Sequence, residues 1–335
     1  MSSSTEGVNP RTIRIEAKDA DIVIIELSDG WRNIEVRPRA REIFISKKSC
    51  RTRYPIDLIQ AVLDLKGPSH LCDEILRDED PGYVQRSIER ELLAYFSPAD
   101  FEGKRILDFG CGSGASTMVL ARMFPRSQLV GTELLASYVG LARKRAAYYA
   151  YRNLTFLVSP SGTELPAGIG MFDCIVMSAV YEHLLPRERE TVLRAVWTTL
   201  KPGGILFLNQ TPYRYFPIEA HTTGLPLLNY LPDSLTMLLA RRFCRRIAPD
   251  ESWESMLRRG IRGGSEKTIQ AQLGSDAILM EPERCGKDRI DLWFSELSPR
   301  GRVLKRVIRL GLKSIRASTG ITMVPELSLA FKKRA

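Results

Sequence analysis

Apolar residues in the middle of the chain follow two alternating patterns. Short apolar runs, which are typical of strands buried on both faces of a sheet, lie at 105–109, 129–130, 154–158, 172–177 and 205–208. Between these runs, apolar residues recur at helical spacing. Strands that alternate with helices predict a mostly parallel sheet covered by helices on both faces, a doubly wound α/β fold.

Different patterns lie on both sides of this central region. Residues 11–46 contain short β-type runs that predict a small hairpin unit, and a helix is predicted between Pro81 and Phe96. Residues 302–316 predict an amphipathic helix with one basic and one apolar arc, and 325–332 predict a last strand that returns to the sheet.

The patterns divide the chain into five segments. They are a disordered tail (1–10), an N-terminal extension (11–80), a ligand-binding core (81–210), a cap inserted over the core (211–290), and the basic helix with the final strand (291–335).

Composition and charge limit the classes of function. The chain is 44% apolar and 26% charged, and no apolar run approaches the roughly 20 residues of a membrane-spanning helix. The start carries neither a basic leader nor an apolar segment, and the six cysteines are widely spaced, so we expect a cytoplasmic protein with reduced thiols. The net charge of +10 is concentrated from Arg300 onward, where ten basic residues accompany one acid. This distribution indicates one local basic element and does not favour a nucleic-acid partner.

A glycine-rich turn follows the first strand of the predicted sheet. Gly110, Gly112 and Gly114 let the backbone turn sharply and approach a ligand at the start of a helix. Asp108 precedes the glycines, and Glu133 ends the next strand, where a carboxylate can accept both hydroxyls of a ribose. The sequence therefore predicts a nucleoside-containing ligand.

The glycine spacing also satisfies the dinucleotide pattern G-x-G-x-x-A, so a nicotinamide enzyme is an alternative. Asp108 favours a different ligand, because its negative charge suits a cationic group better than a pyrophosphate.

Four blocks of the sequence resemble the class I S-adenosylmethionine-dependent methyltransferases. The blocks are 106–114, 129–133, 172–178 with 182–184, and 200–207. The resemblance implies a Rossmann-like core with a mostly parallel seven-stranded sheet, and S-adenosylmethionine as cofactor.

The resemblance also implies the cofactor contacts. They would come from Asp108, Gly110, Cys111, Gly112, Gly114, Glu133, Leu134, Ser161 and Ser178. Asp108 would orient the methionine end, Glu133 would hold the ribose, and Leu134 would lie against the adenine. Ser161 stands where the family often has an acid for the adenine amino group. Ser178 would lie near the sulfonium.

Two histidines are candidates for the chemistry of transfer. A sulfonium methyl group is already activated, so an enzyme mainly aligns the acceptor, and a hydroxyl acceptor benefits from a nearby base. His221 lies in an aromatic- and proline-rich segment beyond the fifth strand, and His183 follows the fourth. The competing interpretation makes His221 part of an ordered cap, bonded to a backbone carbonyl. We expect a hydroxyl of a small molecule, a saccharide or a lipid-linked precursor as acceptor.

No required metal ion is expected from the sequence. Some ubiquinone-pathway O-methyltransferases carry a Glu-x-x-Glu-His arrangement after the fourth strand that is associated with a divalent ion. Ala179 replaces the first acid here, which leaves Glu182 and His183 as two ligands, too few for a good site.

The basic helix leaves further alternatives open. It could lie on an anionic membrane surface, offer its charges to RNA as part of an RNA methyltransferase, or pack its apolar side on the sheet with the basic side in water, which is the interpretation we favour.

Besides a small-molecule methyltransferase and an RNA methyltransferase, a third possible function is that of a cofactor-binding scaffold without turnover. The sequence carries no prediction of the oligomeric state.

Overall fold

The structure is a computed structural model that describes residues 11–285, 288–295 and 302–335. The predicted tail at 1–10 lies outside these residues. The described strands are β1 (Arg11–Glu16), β2 (Ala20–Glu26), β3 (Arg32–Pro38), β4 (Ser49–Thr52), β5 (Arg105–Phe109), β6 (Gln128–Glu133), β7 (Leu154–Val158), β8 (Phe172–Ser178), β9 (Leu200–Pro212), β10 (Ala277–Leu279) and β11 (Glu326–Lys333).

Helices cover both sheets of the fold. The described helices are α1 (Ile56–Lys66), α2 (Leu71–Glu79), α3 (Arg86–Leu93), α4 (Ala115–Met123), α5 (Ala136–Tyr148), α6 (Pro186–Thr198), α7 (Asp233–Phe243), α8 (Trp253–Arg258), α9 (Glu266–Leu273), α10 (Arg289–Phe294) and α11 (Arg302–Thr319). None of these helices combines the length and the apolar composition that crossing a bilayer requires.

The larger sheet has seven strands in the order β10-β11-β9-β8-β5-β6-β7. Strands β5 to β9 pair in parallel, whereas β11 runs antiparallel to β9 and β10 antiparallel to β11. The doubly wound, mostly parallel seven-stranded sheet is confirmed. The chain order reverses at β5, which lies between β6 and β8, so the carboxyl ends of these strands form the crevice where open α/β sheets bind ligands.

A separate four-stranded antiparallel sheet forms the start of the N-terminal extension. Its order is β1-β2-β3-β4, so the predicted hairpin unit is larger than the sequence pattern indicated. Ile22, Ile24 and Ile34 on one face pack with Ile59 and Val62 of α1 in a single buried cluster.

Buried charges attach the extension to the core. Arg145 of α5 is fully buried, and its guanidinium contacts the backbone oxygen of Glu74 at 3.0 Å and the Glu74 carboxylate at 3.1 Å. Asp78 accepts hydrogen bonds from the hydroxyls of Tyr54 and Tyr149. These contacts fix α2 against α5, and the Arg145 guanidinium also donates to the backbone oxygen of Ser113 in the turn that follows β5.

The favoured interpretation of the C-terminal helix, with its apolar side packed and its basic side in water, is wrong. Arg309 and Lys313 of α11 pair with Asp291 of α10, while Val303 and Leu304 are 80% and 66% exposed. A helical wheel defines two faces, but the acids that attract the basic face belong to other elements, which the wheel does not show.

Candidate functional site

A cavity of about 960 Å³ lies at the carboxyl ends of the central strands. The core contributes the turn after β5 and the ends of β8 and β9, through Gly110, Cys111, Gly112, Ser113, Ser178, Ala179 and Gln210. The extension contributes the facing wall, through Lys66, His70, Asp73, Glu74, Arg77, Tyr83, Arg86 and Arg90 among others.

The glycine turn presents bare backbone to this cavity. Gly110 has a φ of +70° and Gly112 a φ of +54°, which favour glycine. A Cβ on Gly110 would lie 2.6 Å from Cγ2 of Val180, whereas a Cβ on Gly112 would meet nothing within 4 Å. Gly110 is therefore needed for packing behind the turn, and Gly112 leaves open space beside the backbone. This open cradle fits a ligand that approaches the main chain closely, as a nucleoside cofactor does.

Asp108 lies behind the glycine turn and is almost fully buried. Its Oδ2 accepts hydrogen bonds of 2.7 Å from the hydroxyls of Ser116 and Thr117, in the first turn of α4. Burial raises the pKa of Asp108 to about 6, although both hydroxyls oppose this rise. The carboxyl thus supports the turn from below, and its contact with the methionine end stays a prediction.

Glu133 ends β6 beside the glycine turn, as the strand pattern predicted. Its Oε2 accepts a hydrogen bond from the backbone N–H of Gly112 at 3.0 Å, and its Oε1 accepts from Leu134 and Leu135 at 2.8 and 3.2 Å. A ribose would have to share or replace these bonds. The side chain of Leu134 is 48% exposed, so it offers apolar surface to an adenine.

The two predicted serine contacts differ. Ser161 lies next to Thr163, with 3.4 Å between the two hydroxyls, in a local turn. Ser178 lines the cavity, and its buried hydroxyl has no hydrogen-bond partner among the described residues. Ser178 is therefore the better placed of the two to bind a ligand.

The contribution of the extension is the part that sequence reasoning missed. Glu74 of α2 accepts a hydrogen bond from the Ser113 hydroxyl in the glycine turn, and Arg77 and Arg86 line the facing wall. The extension carries charged residues at helical spacing from His70 onward, but nothing local shows which surface they face.

A second group of polar side chains lies at the same edge of the sheet. One ligand atom from each of Glu182, His183 and His221 lies within 4.8 Å of the others. Both carboxylate oxygens of Glu182 are buried without a hydrogen-bond partner in the part of the chain that the structure describes, and burial raises the pKa of Glu182 to about 8. Burial lowers the pKa of His221, and the nearby His183 lowers it further. We call these three residues the Glu182 cluster.

The cap brings His221 to this position. The sequence placed His183 after the fourth strand and His221 beyond the fifth, and the structure brings their ring centroids to 5.8 Å. Nδ1 of His183 lies 2.7 Å from the backbone oxygen of Arg258. The expectation of no metal counted Glu182 and His183 alone, and His221 adds a third potential ligand.

Known methyltransferases are similar to the central part of this chain. Residues 106–204 match the family model described as a methyltransferase domain. The fatty-acid O-methyltransferase of Mycolicibacterium smegmatis is 33% identical over 35% of this chain and 40% of its own length. The ubiquinone biosynthesis O-methyltransferase of Cereibacter sphaeroides is 26% identical over 58% of this chain and 73% of its own length.

Other matches are more distant or shorter. PKMT2 from Rickettsia typhi, solved in complex with AdoHcy, is 16% identical with a TM-score of 0.44 and covers 77% of this chain and 53% of its own. The chain spans less than half the length of the first three curated relatives it matches. The domain match covers the glycine turn, Glu133 and most of the strands around the cavity, and with the observed sheet order it shows that residues 106–204 form a methyltransferase domain of the class I, S-adenosylmethionine-dependent type.

Proposed function

We propose that the protein transfers the methyl group of S-adenosylmethionine to a hydroxyl of a small molecule, a saccharide or a lipid-linked precursor. The observation that carries this proposal is the cavity of about 960 Å³ that joins the glycine turn to the ends of β8 and β9. Ligand pockets of roughly 300 to 1,000 Å³ enclose drug-sized molecules, so a cofactor and a small acceptor fit together.

In this proposal, residues of the chain bind the cofactor and orient it for the transfer. The backbone at Gly110 and Gly112 supports the cofactor, Glu133 holds its ribose, and Ser178 offers a hydroxyl near the reacting end. The cofactor supplies an activated methyl group when bound. The extension forms the facing wall of the cavity, and a cofactor and acceptor bound against this wall would exclude water from the transfer.

A base near the acceptor removes its hydroxyl proton, and the two candidate histidines belong to the Glu182 cluster, whose residues are not among those that line the cavity. The lowered pKa of His221 keeps its imidazole neutral at pH 7 and able to accept a proton. His183 is the second candidate for this role. His221 comes from the cap and His183 from the core, so a base at His221 would be in place only when the cap is folded over the sheet.

The charge of the wall supports an acceptor that carries a negative group. Arg77 and Arg86 of the extension line the cavity, and guanidinium groups bind carboxylate and phosphate oxygens in pairs. Oxygen acceptors agree with the printed names of two relatives, a fatty-acid and a ubiquinone biosynthesis O-methyltransferase.

One observation supports peripheral membrane contact as an additional property. Val303, Leu304 and Val307 are exposed along the outer side of α11, with the exposed Arg306 among them. An apolar helix face beside a cation matches an anionic lipid surface. RNA is a poorer match, because Arg309 and Lys313 are already paired with Asp291.

The test is to incubate the protein with labelled S-adenosylmethionine and fractionated cell extract. We expect one fraction to acquire label in a product whose methyl group is bonded to oxygen, together with one S-adenosylhomocysteine per methyl transferred. Titration calorimetry that shows no heat with either adenosyl compound, but a clear signal with a nicotinamide dinucleotide, would refute the proposal. Cofactor binding without transfer to any fraction would support a scaffold instead.

A further inference from the structure

We propose that Glu182, His183 and His221 bind one divalent transition-metal ion, for which Zn²⁺ is the best match. Two imidazoles and one carboxylate are a donor set that proteins use for zinc, with the fourth position left open. The 3₁₀ turn Tyr181–His183 after β8 supplies two of the ligands, and the cap supplies the third.

The distances are close to those that an ion requires. Ligand atoms at about 2.0 to 2.1 Å from a tetrahedral ion lie roughly 3.4 Å apart. His183 Nε2 and Glu182 Oε1 are 3.8 Å apart, and all three ligand atoms lie within 4.8 Å of one another. Small side-chain rotations therefore complete the site without moving the backbone.

The surroundings of Glu182 point independently to a missing cation. The side chain is completely buried, and neither carboxylate oxygen has a hydrogen-bond partner within the described segments. A buried carboxylate without donors is costly, and other buried acids of this chain have them. Asp108 accepts two hydrogen bonds, and Glu219 accepts four. A metal ion would supply what Glu182 lacks.

The hydrogen bond of His183 prepares the ring for coordination. Its Nδ1 lies 2.7 Å from the backbone oxygen of Arg258, and a carbonyl oxygen can only accept, so Nδ1 carries the proton. Nε2 is then the nitrogen available to a metal, and it is the one that faces Glu182. Metal-bound histidines almost always donate their other ring N–H in this way.

The loop of His221 is fixed by the same kind of contact. Glu219 is buried and accepts hydrogen bonds from the backbone N–H groups of His221 and Thr222, at 3.1 and 2.9 Å. Gly260 lets the ring approach Glu182, because a Cβ there would lie 2.7 Å from His221 Cδ2 and 3.1 Å from Glu182 Cγ. These contacts thus hold His221 close to the other two ligands.

The ion would leave one coordination position for an oxygen ligand such as water or the hydroxyl of the acceptor. A zinc ion favours ionisation of a hydroxyl that it binds, so in the metal-loaded protein the ion replaces the neutral His221 ring as the group that promotes loss of the acceptor proton. This consequence rests on the proposed function, whereas binding of the ion does not.

The experiment measures zinc binding to the full chain without methyl donor. Protein stripped with a chelator is titrated with Zn²⁺ by calorimetry, and the metal that remains after gel filtration is quantified by mass spectrometry. We expect one ion per chain, and we expect His183→Ala, His221→Ala and Glu182→Gln each to weaken affinity by at least about 100-fold. Co²⁺ should give the visible absorption of a four-coordinate site in the wild type and lose it in these variants.

The third histidine of the chain is the matched control. His70→Ala removes the same group outside the Glu182 cluster, and it should bind zinc like the wild type. The proposal is overturned by a lack of stoichiometric binding, by unchanged affinity in His183→Ala and His221→Ala, or by equal loss in His70→Ala. Far-UV circular dichroism of the metal-free variants tests folding. If His221→Ala unfolds, His221→Gln takes its place.

Failure of this proposal is distinguishable from failure of the proposed function. Stoichiometric zinc with no methyl transfer to any fraction retains the metal site and refutes the activity. Methyl transfer by chelator-stripped protein that binds no zinc does the reverse.

Discussion

The two groups of acids at the edge of the large sheet differ in their partners. At the glycine turn, Asp108 and Glu133 accept two and three hydrogen bonds from the chain itself. In the Glu182 cluster, the buried carboxylate accepts none from the described residues. The first two acids are fixed into the fold, whereas Glu182 has its bonding capacity left for something outside the chain.

The pKa values of Asp108 and Glu182 agree with this difference in hydrogen bonding. Burial raises the pKa of Asp108 to about 6 and that of Glu182 to about 8. Hydroxyl donors lower the pKa of Asp108, and Glu182 has no side-chain donor to oppose its burial as strongly. Hydrogen-bond donors, more than depth of burial, therefore distinguish an acid that supports the turn from one available to a ligand.

The largest effect is expected at the buried charges that join the extension to the glycine turn. Arg145→Met should lower the free energy of unfolding by about 3 to 5 kcal/mol, because it removes the buried cation beside the carboxylates of Glu74 and Asp78, of which Glu74 keeps only Lys66 as an ion-pair partner among the described residues. Urea denaturation measures the change. Arg194→Met, which breaks the exposed pair with Glu190, is the control and should cost less than about 1 kcal/mol. Equal losses in both variants would show that the network does not stabilise this region.

The pH dependence of stability tests the state of Asp108. Its pKa is about 6 in the folded chain, above the usual 3.8 of an aspartate, so the folded state holds its proton to higher pH and this group makes the protein less stable as pH rises from about 4 to 6. Asp108→Asn removes that penalty. Relative to the wild type, the variant should gain about 2 kcal/mol in unfolding free energy between pH 4 and pH 7. A difference that stays constant with pH would contradict the raised pKa.

The proposed catalytic role of His221 predicts a change in turnover. His221→Ala should lower kcat by about 100-fold through loss of the base, while the Kd for S-adenosylmethionine stays within about twofold. Steady-state kinetics and calorimetry on the same preparation separate the two quantities. Full activity would make His221 a structural residue of the cap, and a parallel loss of cofactor binding would mean that the substitution also disturbs the cofactor site.

A substitution of Glu133 tests the acids at the glycine turn. Glu133→Ala should weaken binding of S-adenosylmethionine by about 2 kcal/mol, because charged hydrogen bonds to the ribose are lost. Glu190→Ala, on the exposed side of α6, should leave affinity unchanged. Calorimetry measures both, and unchanged affinity in Glu133→Ala would remove the ribose assignment.

The smallest effect is expected at α11, which belongs to neither group of acids. Val307→Asp should reduce co-sedimentation with phosphatidylglycerol vesicles severalfold, because it places a negative charge on the exposed apolar face. Activity on a soluble acceptor should not change. Wild-type protein that binds neither these vesicles nor vesicles of phosphatidylcholine would exclude a membrane role.

Sequence alone determined the core and one end of the site. The strands β5 to β9, the glycine turn and Glu133 were predictable because each depends on residues that are neighbours in the chain or lie at the ends of adjacent strands. Carboxyl ends of parallel strands meet at one edge of a sheet, so the pattern gave both the elements and their meeting place.

Tertiary structure decided the remainder. The approach of His221 to Glu182, the wall formed by the extension and the outward apolar face of α11 depend on contacts between segments far apart in the chain. Local periodicity shows that a helix has two faces or that a loop carries a histidine. Which surface each one meets is set by the charges and the shape of distant elements, and these become neighbours only when the chain folds.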